Sequence, residues 1–247
     1  MQQYHTPRGI VSTLYLDMLE QPHLLIAGST GSGKSTAIQG LICAALLDSP
    51  NKRRFILIDP KRVELADYAD VPHTIENAAG FNPDAWQTAL NTACQIMDCR
   101  YADMERRHLR TYDGPHVYVI IDEWANVYRN GGRAAYNAIM RLSSEGRAAR
   151  VHVILATQVP NTRILPSEVR ENMTARLCLR TNTRTESRVL MDVNGCETLP
   201  QYGEGWYITP RARTLYRIPY TSDAERDRLI SHWTQQTTID TRILRVI

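Results

Sequence analysis

The chain has 247 residues, of which 43% are hydrophobic and 22% are charged, and its formal net charge is +3. This composition is that of a globular domain, so it excludes a fibrous or a mostly disordered protein. Because the net charge is small, a surface that binds nucleic acid or anionic lipid would have to be a local basic patch.

The N-terminal segment contains no sustained apolar run, and no window of the chain reaches the roughly 20 apolar residues that a membrane-spanning helix requires. The five cysteines are scattered, and the spacing of Cys94 and Cys99 is not that of zinc ligands. We therefore expect a cytoplasmic protein with no signal peptide and no membrane insertion, whose cysteines are reduced and mostly buried.

Short apolar runs alternate along the chain with segments of helical period. The apolar runs predict buried strands at residues 23–27, 54–58, 116–121, 152–156 and 175–180. The periodic segments predict helices at residues 34–47, 84–108 and 134–145. The last of these helices ends at Gly146, which can provide a left-handed C-cap.

Beyond Gly195 the pattern changes to a hairpin, residues 203–208 and 214–218, followed by a helix near residues 223–235. The order of these elements favours an α/β fold, with a mainly parallel sheet flanked by helices and a C-terminal β-hairpin. Because the chain contains no internal repeat and no low-complexity linker, residues 1–247 are predicted to form a single domain.

The strongest motif lies between the first predicted strand and the first predicted helix. It matches the pattern G-x4-G-K-[ST] in full and, with the residue after it, reads Gly28-Ser29-Thr30-Gly31-Ser32-Gly33-Lys34-Ser35-Thr36. Glycines let successive backbone N–H groups and the helix N-terminus point at phosphate groups. We expect this loop to bind ATP, with Lys34 at the β- and γ-phosphates and the Ser35 hydroxyl on Mg²⁺. The alternative, a Gly/Ser-rich turn that matches by chance, is disfavoured by the strand and helix on either side.

Two carboxylates, Asp122 and Glu123, directly follow the predicted strand at residues 116–121. The carboxyl ends of parallel strands border the crevice in which such sheets bind ligands. We expect Asp122 to belong to the metal shell and Glu123 to act as the general base that polarises the attacking water, which favours hydrolysis over transfer to a second substrate. The alternative is a pair of exposed acidic residues after a core strand.

Another polar pair, Thr157 and Gln158, follows the predicted strand at residues 152–156. A neutral amide at this edge can orient water without adding charge, so Gln158 is a candidate sensor of the γ-phosphate.

Further motifs follow in the order found in the FtsK/SpoIIIE family, and together they resemble the motor domain of that family. They are His23-Leu24-Leu25-Ile26-Ala27-Gly28, then Leu57-Ile58-Asp59-Pro60-Lys61 with Glu64, Leu65 and Tyr68, then Pro72-His73, Arg100-Tyr101, Asp122-Glu123, Ala156-Thr157-Gln158 and Glu186-Ser187-Arg188. The similarity covers a core from about residue 22 to residue 208. It implies a RecA-like P-loop NTPase that assembles as a homo-oligomeric ring, usually a hexamer, and uses ATP to translocate double-stranded DNA.

Relatives in this branch also include coupling ATPases of conjugative elements and type VII secretion ATPases, which move protein. The chain resembles a bare motor, because the membrane-spanning N-terminus and the C-terminal winged helix of chromosome-segregating members are not found in it. We therefore expect either a separate membrane or DNA-recognition partner, as in mobile elements, or an excised motor domain. Two alternatives are a type VII secretion-like ATPase and a nucleotide-dependent scaffold with little turnover.

A ring motor of this kind commonly shares each active site between subunits through an arginine inserted in trans. Arg176, in the strand after the sensor, and Arg188, in the family motif, are the candidates for this arginine finger. Arg147 and Arg150 are weaker candidates, and for each of these arginines the alternative is a salt bridge within the subunit.

DNA contacts are predicted in residues 194–203 and at Arg211 and Arg213, by loose analogy with the pore-facing hairpin of the family. Four arginines on or after the long helix can face DNA or a neighbouring subunit, although a solvated charged face is the simpler interpretation. They are Arg100, Arg106, Arg107 and Arg110. The seven histidines show no ligand spacing, so we expect them to be structural.

Overall fold

Ten β-strands form two sheets in the computed structural model, which describes residues 4–6, 9–11, 18, 20–200 and 202–243. The strands are β1 (Tyr4–Thr6), β2 (Gly9–Val11), β3 (Leu24–Ala27), β4 (Arg53–Asp59), β5 (Thr74–Ala79), β6 (His116–Ile121), β7 (Val151–Thr157), β8 (Ala175–Leu179), β9 (Glu204–Ile208) and β10 (Arg213–Arg217). The first two strands pair with each other in an antiparallel sheet.

Seven α-helices connect or flank these strands in the described part of the chain. They are α1 (Lys34–Leu46), α2 (Pro83–Arg106), α3 (Trp124–Asn130), α4 (Gly132–Glu145), α5 (Ser167–Asn172), α6 (Arg184–Met191) and α7 (Asp223–Ile243). No helix among the described residues is both long and apolar enough to cross a membrane.

The large sheet has the strand order β10-β9-β8-β3-β7-β6-β4-β5. Six strands, β8, β3, β7, β6, β4 and β5, run parallel, whereas β9 and β10 are antiparallel to their neighbours. The predicted α/β fold with a mainly parallel sheet and a C-terminal hairpin is therefore confirmed. All six parallel strands end at the same edge of the sheet, and this carboxyl edge carries the candidate site.

Both faces of the sheet are covered, which explains why the central strands are continuous apolar runs rather than alternating ones. Every residue of β3 and of β7 is buried. Alternate residues of β3 face two separate cores: Leu25 packs in a cluster with residues of α2, α3 and α4, and Leu24 packs in a cluster with residues of α1. Among the partly buried residues against the second cluster is Trp233 of α7, whose indole N–H donates to the Leu46 carbonyl oxygen.

Some elements were not predicted from the sequence. The strand β5 reads TIENAA and lacks the apolar run by which the other strands were predicted. It can contain polar residues because it is an edge strand that is only partly buried. The helix α6 begins with a capping box, in which Thr183 Oγ1 accepts from the Glu186 N–H and Glu186 Oε2 accepts from the Thr183 N–H. That spacing, T-x-x-E, was present in the sequence as a signal for the helix start.

The left-handed C-cap predicted at Gly146 is wrong. Gly146 has φ −64° and ψ −24°, which is the right-handed region. A glycine is nevertheless needed there, because a Cβ would overlap the carbonyl oxygens of Val151 and Leu142. The residue therefore allows α4 to approach the start of β7 closely rather than reversing the chain direction.

Candidate nucleotide site

The loop between β3 and α1, residues 28–33, is held at the carboxyl edge by both neighbours of β3. The Gly28 N–H donates to the Thr157 carbonyl oxygen at the end of β7 (3.3 Å), and the Ser29 N–H donates to the Arg180 carbonyl oxygen just after β8 (2.7 Å). A Cβ at Gly28 would lie 2.6 Å from the Leu179 Cβ, so only glycine fits between the two strands.

The helix α1 starts abruptly after this loop. Gly33 is its N-cap residue and has φ +100°, in the left-handed region that favours glycine. The first helical hydrogen bond runs from the Ala37 N–H to the Gly33 carbonyl oxygen. The N–H groups of residues 34–36 therefore lie in the first turn, where no intrahelical acceptor is available to them, and such a turn binds anions well.

Lys34 and Asp122 meet in the interior, although 88 residues separate them in the chain. The Lys34 ammonium donates to Asp122 Oδ1 at 2.6 Å and to the Asp122 carbonyl oxygen at 3.1 Å. The two side chains are only 5% and 1% exposed. The structure thus joins the lysine of the loop to the first carboxylate after β6.

Glu123 is also buried and is fixed by the end of β7. Its carboxylate accepts from Thr157 Oγ1 at 2.8 Å and from the Gln158 N–H at 3.2 Å. The Lys61 ammonium lies 3.8 Å from Glu123 Oε2. The Gln158 side chain points elsewhere: its Oε1 accepts from Thr30 Oγ1 at 3.2 Å, so it contacts the tip of the loop.

Two site residues had no role assigned from the sequence, namely Lys61 beside Glu123 and Glu64 beside Ser35. Ser35 Oγ donates to Glu64 Oε1 at 2.5 Å. Both new residues lie in the segment 60–65 that follows β4. The signal that could have found them is the same as for Asp122 and Glu123, because these residues also follow a strand of the parallel sheet.

The buried carboxylate of Asp59 shapes this segment. Its Oδ1 accepts from the N–H groups of Lys61 (3.1 Å) and Arg62 (3.0 Å), and its Oδ2 accepts from those of Glu64 and Leu65 (both 2.9 Å). Four hydrogen bonds to one carboxylate fold the segment back on the strand end. Asp59 therefore places Lys61 and Glu64 at the site rather than contacting a ligand itself.

The donor set suits a magnesium ion that is bound together with a nucleotide. Among the described residues, no group of three or more His, Cys, Asp or Glu side chains is arranged to hold a metal. A nucleotide-bound Mg²⁺ does not need such a group, because phosphate oxygens and water fill most of its octahedral shell. The protein oxygens of Ser35 and Asp122, with Glu64 next to Ser35, have the hydroxyl and carboxylate chemistry that this ion takes.

The two candidate finger arginines differ in their surroundings. Arg176 is largely buried, and its guanidinium donates to the carbonyl oxygens of Leu190 and Arg170, both at 2.9 Å. Arg188 is exposed, and its Nε donates to Asn194 Oδ1 at 3.0 Å. Arg176 therefore ties β8 to α5 and α6 within one subunit, and it also lies 3.6 Å from Asp192, which is the kind of ion pair that the alternative interpretation names. Arg188 lies at the surface.

Of the arginines on or after the long helix that were considered as DNA contacts, Arg100 is buried and so cannot contact DNA. It is 8% exposed, donates to the Ala149 carbonyl oxygen at 2.7 Å and stacks 4.5 Å above the Tyr112 ring. Burial lowers the pKa of its guanidinium to about 10. Arg107 is exposed but forms ion pairs with Asp103 and Asp113.

The two hairpin arginines that were predicted to contact DNA also differ in their surroundings. Arg211 is 82% exposed and lies 3.6 Å from Glu20. Arg213 donates to the Met191 carbonyl oxygen at 3.1 Å and so anchors β10 to the end of α6. In the predicted segment 194–203, residue 201 lies outside the described residues.

Histidines cluster near the opposite, amino edge of the sheet. His23 Nδ1 accepts from the Val153 N–H at 3.0 Å, and His152 Nδ1 lies 2.9 Å from the Pro22 carbonyl oxygen. Burial lowers the pKa of His23 to about 4 and that of His152 to about 3. Both rings are structural, although among the described residues His23 Nε2 has no hydrogen-bond partner.

The sequence of this chain is similar to sequences of the FtsK/SpoIIIE family. A profile of the FtsK/SpoIIIE family matches residues 6–125. The chain is similar to the DNA translocase FtsK of Leptospira interrogans, with 34% identity over 235 residues, which cover 87% of this chain and 25% of that protein. The chain therefore spans about a quarter of the length of the curated relatives it matches.

Two solved structures have a similar fold. The conjugation coupling protein TcpA of pCW3, in a monomer form with ATPgS, matches with a TM-score of 0.76 and 17% identity, over 87% of this chain and 66% of that one. The cytoplasmic domain of the type VII secretion ATPase EccC from Thermomonospora curvata matches with a TM-score of 0.65 and 22% identity, over 82% of this chain and 26% of that one.

Proposed function

Because the chain belongs to the FtsK/SpoIIIE family, we propose that it is an ATP-hydrolysing motor that translocates double-stranded DNA as an oligomeric ring. The observation that carries the proposal is the meeting of Lys34, Asp122 and Glu123 at one sheet edge, beside a loop that is built for phosphate. We further propose that it is the motor of a mobile element and acts with a separate recruiting partner; the likeness in fold to a conjugation coupling protein supports the first part of this proposal.

Nucleotide binding is proposed to begin with an exchange of partners at Lys34. Phosphate oxygens at the loop would replace the Asp122 carboxylate as the acceptor for the Lys34 ammonium. Asp122 would then turn to the water shell of a Mg²⁺ ion that the Ser35 hydroxyl ligates. That ion would neutralise charge on the β- and γ-phosphate oxygens.

Hydrolysis is assigned to Glu123, whose carboxylate would accept a proton from the attacking water. Thr157 and the Gln158 N–H fix the orientation of that carboxylate, and Lys61 supplies a positive charge 3.8 Å away. Contact with the γ-phosphate or its water is assigned to the Gln158 side chain, which accepts a hydrogen bond from Thr30 at the tip of the loop. Arg188 of a neighbouring subunit is the favoured finger, because its side chain is exposed.

DNA stimulation of ATP hydrolysis tests the proposal. We expect the turnover of the protein to rise on addition of a long linear duplex, and the stimulation to fall as salt is raised, because duplex binding depends on phosphate contacts. Lys34→Ala is the control that should abolish turnover with and without DNA.

The two alternatives give different results in the same assay. A motor that moves protein would hydrolyse ATP without responding to the duplex. A nucleotide-dependent scaffold would bind ATP with little turnover in either condition. Either result would contradict the DNA-translocating function.

A further inference from the structure

Two strongly exposed tyrosines lie at the open end of the C-terminal hairpin. Tyr202 precedes β9 and Tyr220 follows β10, and each is 76% exposed. The ladder pairs Glu204 with Arg217, and the Ile218 N–H donates to the Gly203 carbonyl oxygen at 2.7 Å, so both tyrosines leave the hairpin at the same end. Among the described residues, neither ring makes a hydrogen bond or an aromatic contact.

This end of the hairpin is fixed against the phosphate loop. The Gly203 N–H, next to Tyr202, donates to the Ser32 carbonyl oxygen at 3.2 Å. A Cβ at Gly33 would lie 3.2 Å from the Gly203 Cα and 3.4 Å from Ile218 Cδ1. The segments that carry the two tyrosines are therefore part of the wall around the loop.

The segment after β10 is also fixed to α1. Gln39 Nε2 donates to the Thr221 carbonyl oxygen at 3.1 Å, and the Pro219 carbonyl oxygen lies 4.0 Å from the position of a Cβ at Gly40. Tyr220 lies between these two contacts in the chain. It is thereby held one turn along α1 from Thr36, the last residue of the phosphate-binding motif.

The direction of a bound nucleotide follows from the strand order. Asp122 and Glu123 follow β6, on one side of the loop, so the γ-phosphate must lie toward β7 and β6. The α-phosphate and the nucleoside must then leave the loop on its other side. That side is formed by β8, β9 and β10, where Tyr202 and Tyr220 lie.

We propose that Tyr202 and Tyr220 form the site for the base of the nucleotide, which stacks on one or both rings. This inference rests on the proposed function, because it assumes that residues 28–36 bind the phosphates. Aromatic rings suit the purpose, since a nucleobase presents an apolar π-face and stacking on an aromatic side chain strengthens binding markedly.

Binding of Mg-ADP and of Mg-pyrophosphate by the full chain tests the inference, because the two ligands share phosphates and only ADP has a base. We expect Tyr202→Ala and Tyr220→Ala to weaken ADP binding in calorimetry, with about a tenfold loss in the double variant. Pyrophosphate affinity should stay as in the wild type. The phenylalanine variants of both positions should keep ADP affinity, because they keep the ring.

Phe81→Ala is the matched control. Phe81 is 68% exposed but follows β5, at the far end of the sheet from the hairpin, so its removal should leave ADP affinity unchanged. Unchanged ADP affinity in the double alanine variant, or an equal loss of ADP and pyrophosphate, would overturn the base site. A wild-type chain that binds neither ligand would overturn the proposed function, and the base site with it.

Discussion

The Lys34–Asp122 pair places two opposite charges in the interior, and each charge depends on the other. Removing one partner of a buried ion pair typically costs about 3–5 kcal/mol, because the remaining charge is left buried and unpaired. Folding therefore requires that both charges are present or that both are removed, while the chemistry proposed for the site requires both.

A double-mutant comparison tests this coupling. Lys34→Met should lower the free energy of unfolding by about 3–5 kcal/mol in urea titrations, and Lys34→Met/Asp122→Asn should recover much of the loss. Neither variant should bind ATP. Lys52→Met is the control, because Lys52 is 72% exposed in its ion pair with Asp48 and should change stability by less than about 1 kcal/mol. Equal losses in the single and the double variant would contradict the coupling.

Glu64 gives a second prediction for a single residue. Because Glu64 accepts a hydrogen bond from Ser35 Oγ, it is placed to orient the proposed magnesium ligand. Removing such an outer partner usually weakens metal binding by about tenfold or more. We expect Glu64→Gln to raise the Mg²⁺ concentration for half-maximal ATP hydrolysis by about that factor. Glu105 is an exposed residue of α2, so Glu105→Gln is the control and should leave that concentration unchanged. A Glu64→Gln variant with normal Mg²⁺ dependence would remove Glu64 from this role.

The sequence identified four of the candidate site residues, since each belongs to a motif or follows a recognisable strand. They are Lys34, Ser35, Asp122 and Glu123. It assigned no role to Glu64, although that residue was noted as part of the family pattern. The contact between Glu64 and Ser35 depends on how Asp59 folds the segment after β4. The position of Glu64 after a parallel strand could mark it as a site candidate, but a hydrogen-bond pattern has no periodicity, so the sequence does not give its contact with Ser35.

Among the elements, the apolar central strands were the most predictable. The bounds of β6 agree fully with the prediction, and those of β3, β7 and β8 differ by one residue at one or both ends. Short helices were missed because tertiary contacts stabilise them. In α3, for example, the fully buried Trp124 donates from its indole N–H to the Ile164 carbonyl oxygen, 40 residues away.

Two glycines in or next to helices should respond oppositely to alanine. Gly146→Ala forces a Cβ onto backbone oxygens and should lower the free energy of unfolding by about 1–3 kcal/mol. Gly40→Ala, inside α1, meets its nearest atoms only at 4.0 Å and should raise that free energy by about 0.5–1 kcal/mol. Urea unfolding of both variants measures the difference, and a stabilising Gly146→Ala would refute the close approach of α4 to β7.

The histidines at the starts of β3 and β7 make the pairing of these strands sensitive to acid. The pKa of His23 is lowered to about 4 in the folded chain from its ordinary value of 6.5. The unfolded chain therefore binds the proton first, and the free energy of unfolding should fall as the pH drops from about 6.5 toward 4.

His23→Asn removes this titration and keeps an acceptor for the Val153 N–H. Its loss of stability between pH 7 and pH 5 should be smaller than that of the wild type in urea unfolding. His108→Asn, at an exposed position with φ +53°, should behave as the wild type does. A loss of stability in His23→Asn equal to that of the wild type would show that His23 does not carry the effect.

At the scale of the whole molecule, the two edges of the parallel sheet carry different kinds of polar side chain. The charged residues of the candidate site gather at the carboxyl edge, and buried neutral imidazoles gather near the amino edge. Of the two leading finger candidates, Arg176 is occupied by backbone acceptors within its own subunit, whereas Arg188 is exposed.

Mixed assemblies test the shared site. Glu123→Gln subunits should bind ATP and fail to hydrolyse it, and Arg188→Ala subunits should be slowed by roughly 10³–10⁵-fold if the finger acts as in well-studied P-loop enzymes. A mixture of the two variants should hydrolyse ATP faster than either alone, because some interfaces join an intact Glu123 to an intact Arg188. Full activity of Arg188→Ala as a dilute monomer would refute the shared site.

The position of β3 in the sheet has a consequence for how the protein is made. Its residue Leu24 pairs with Ile154 of β7 and with Ala175 of β8, which lie 130 and 151 residues later in the chain. During translation the strand that leads into the phosphate loop emerges from the ribosome long before either partner exists. The nascent chain must therefore keep an apolar strand unpaired until most of the domain has been synthesised, and long-range pairing of this kind is slow and exposes the chain to aggregation.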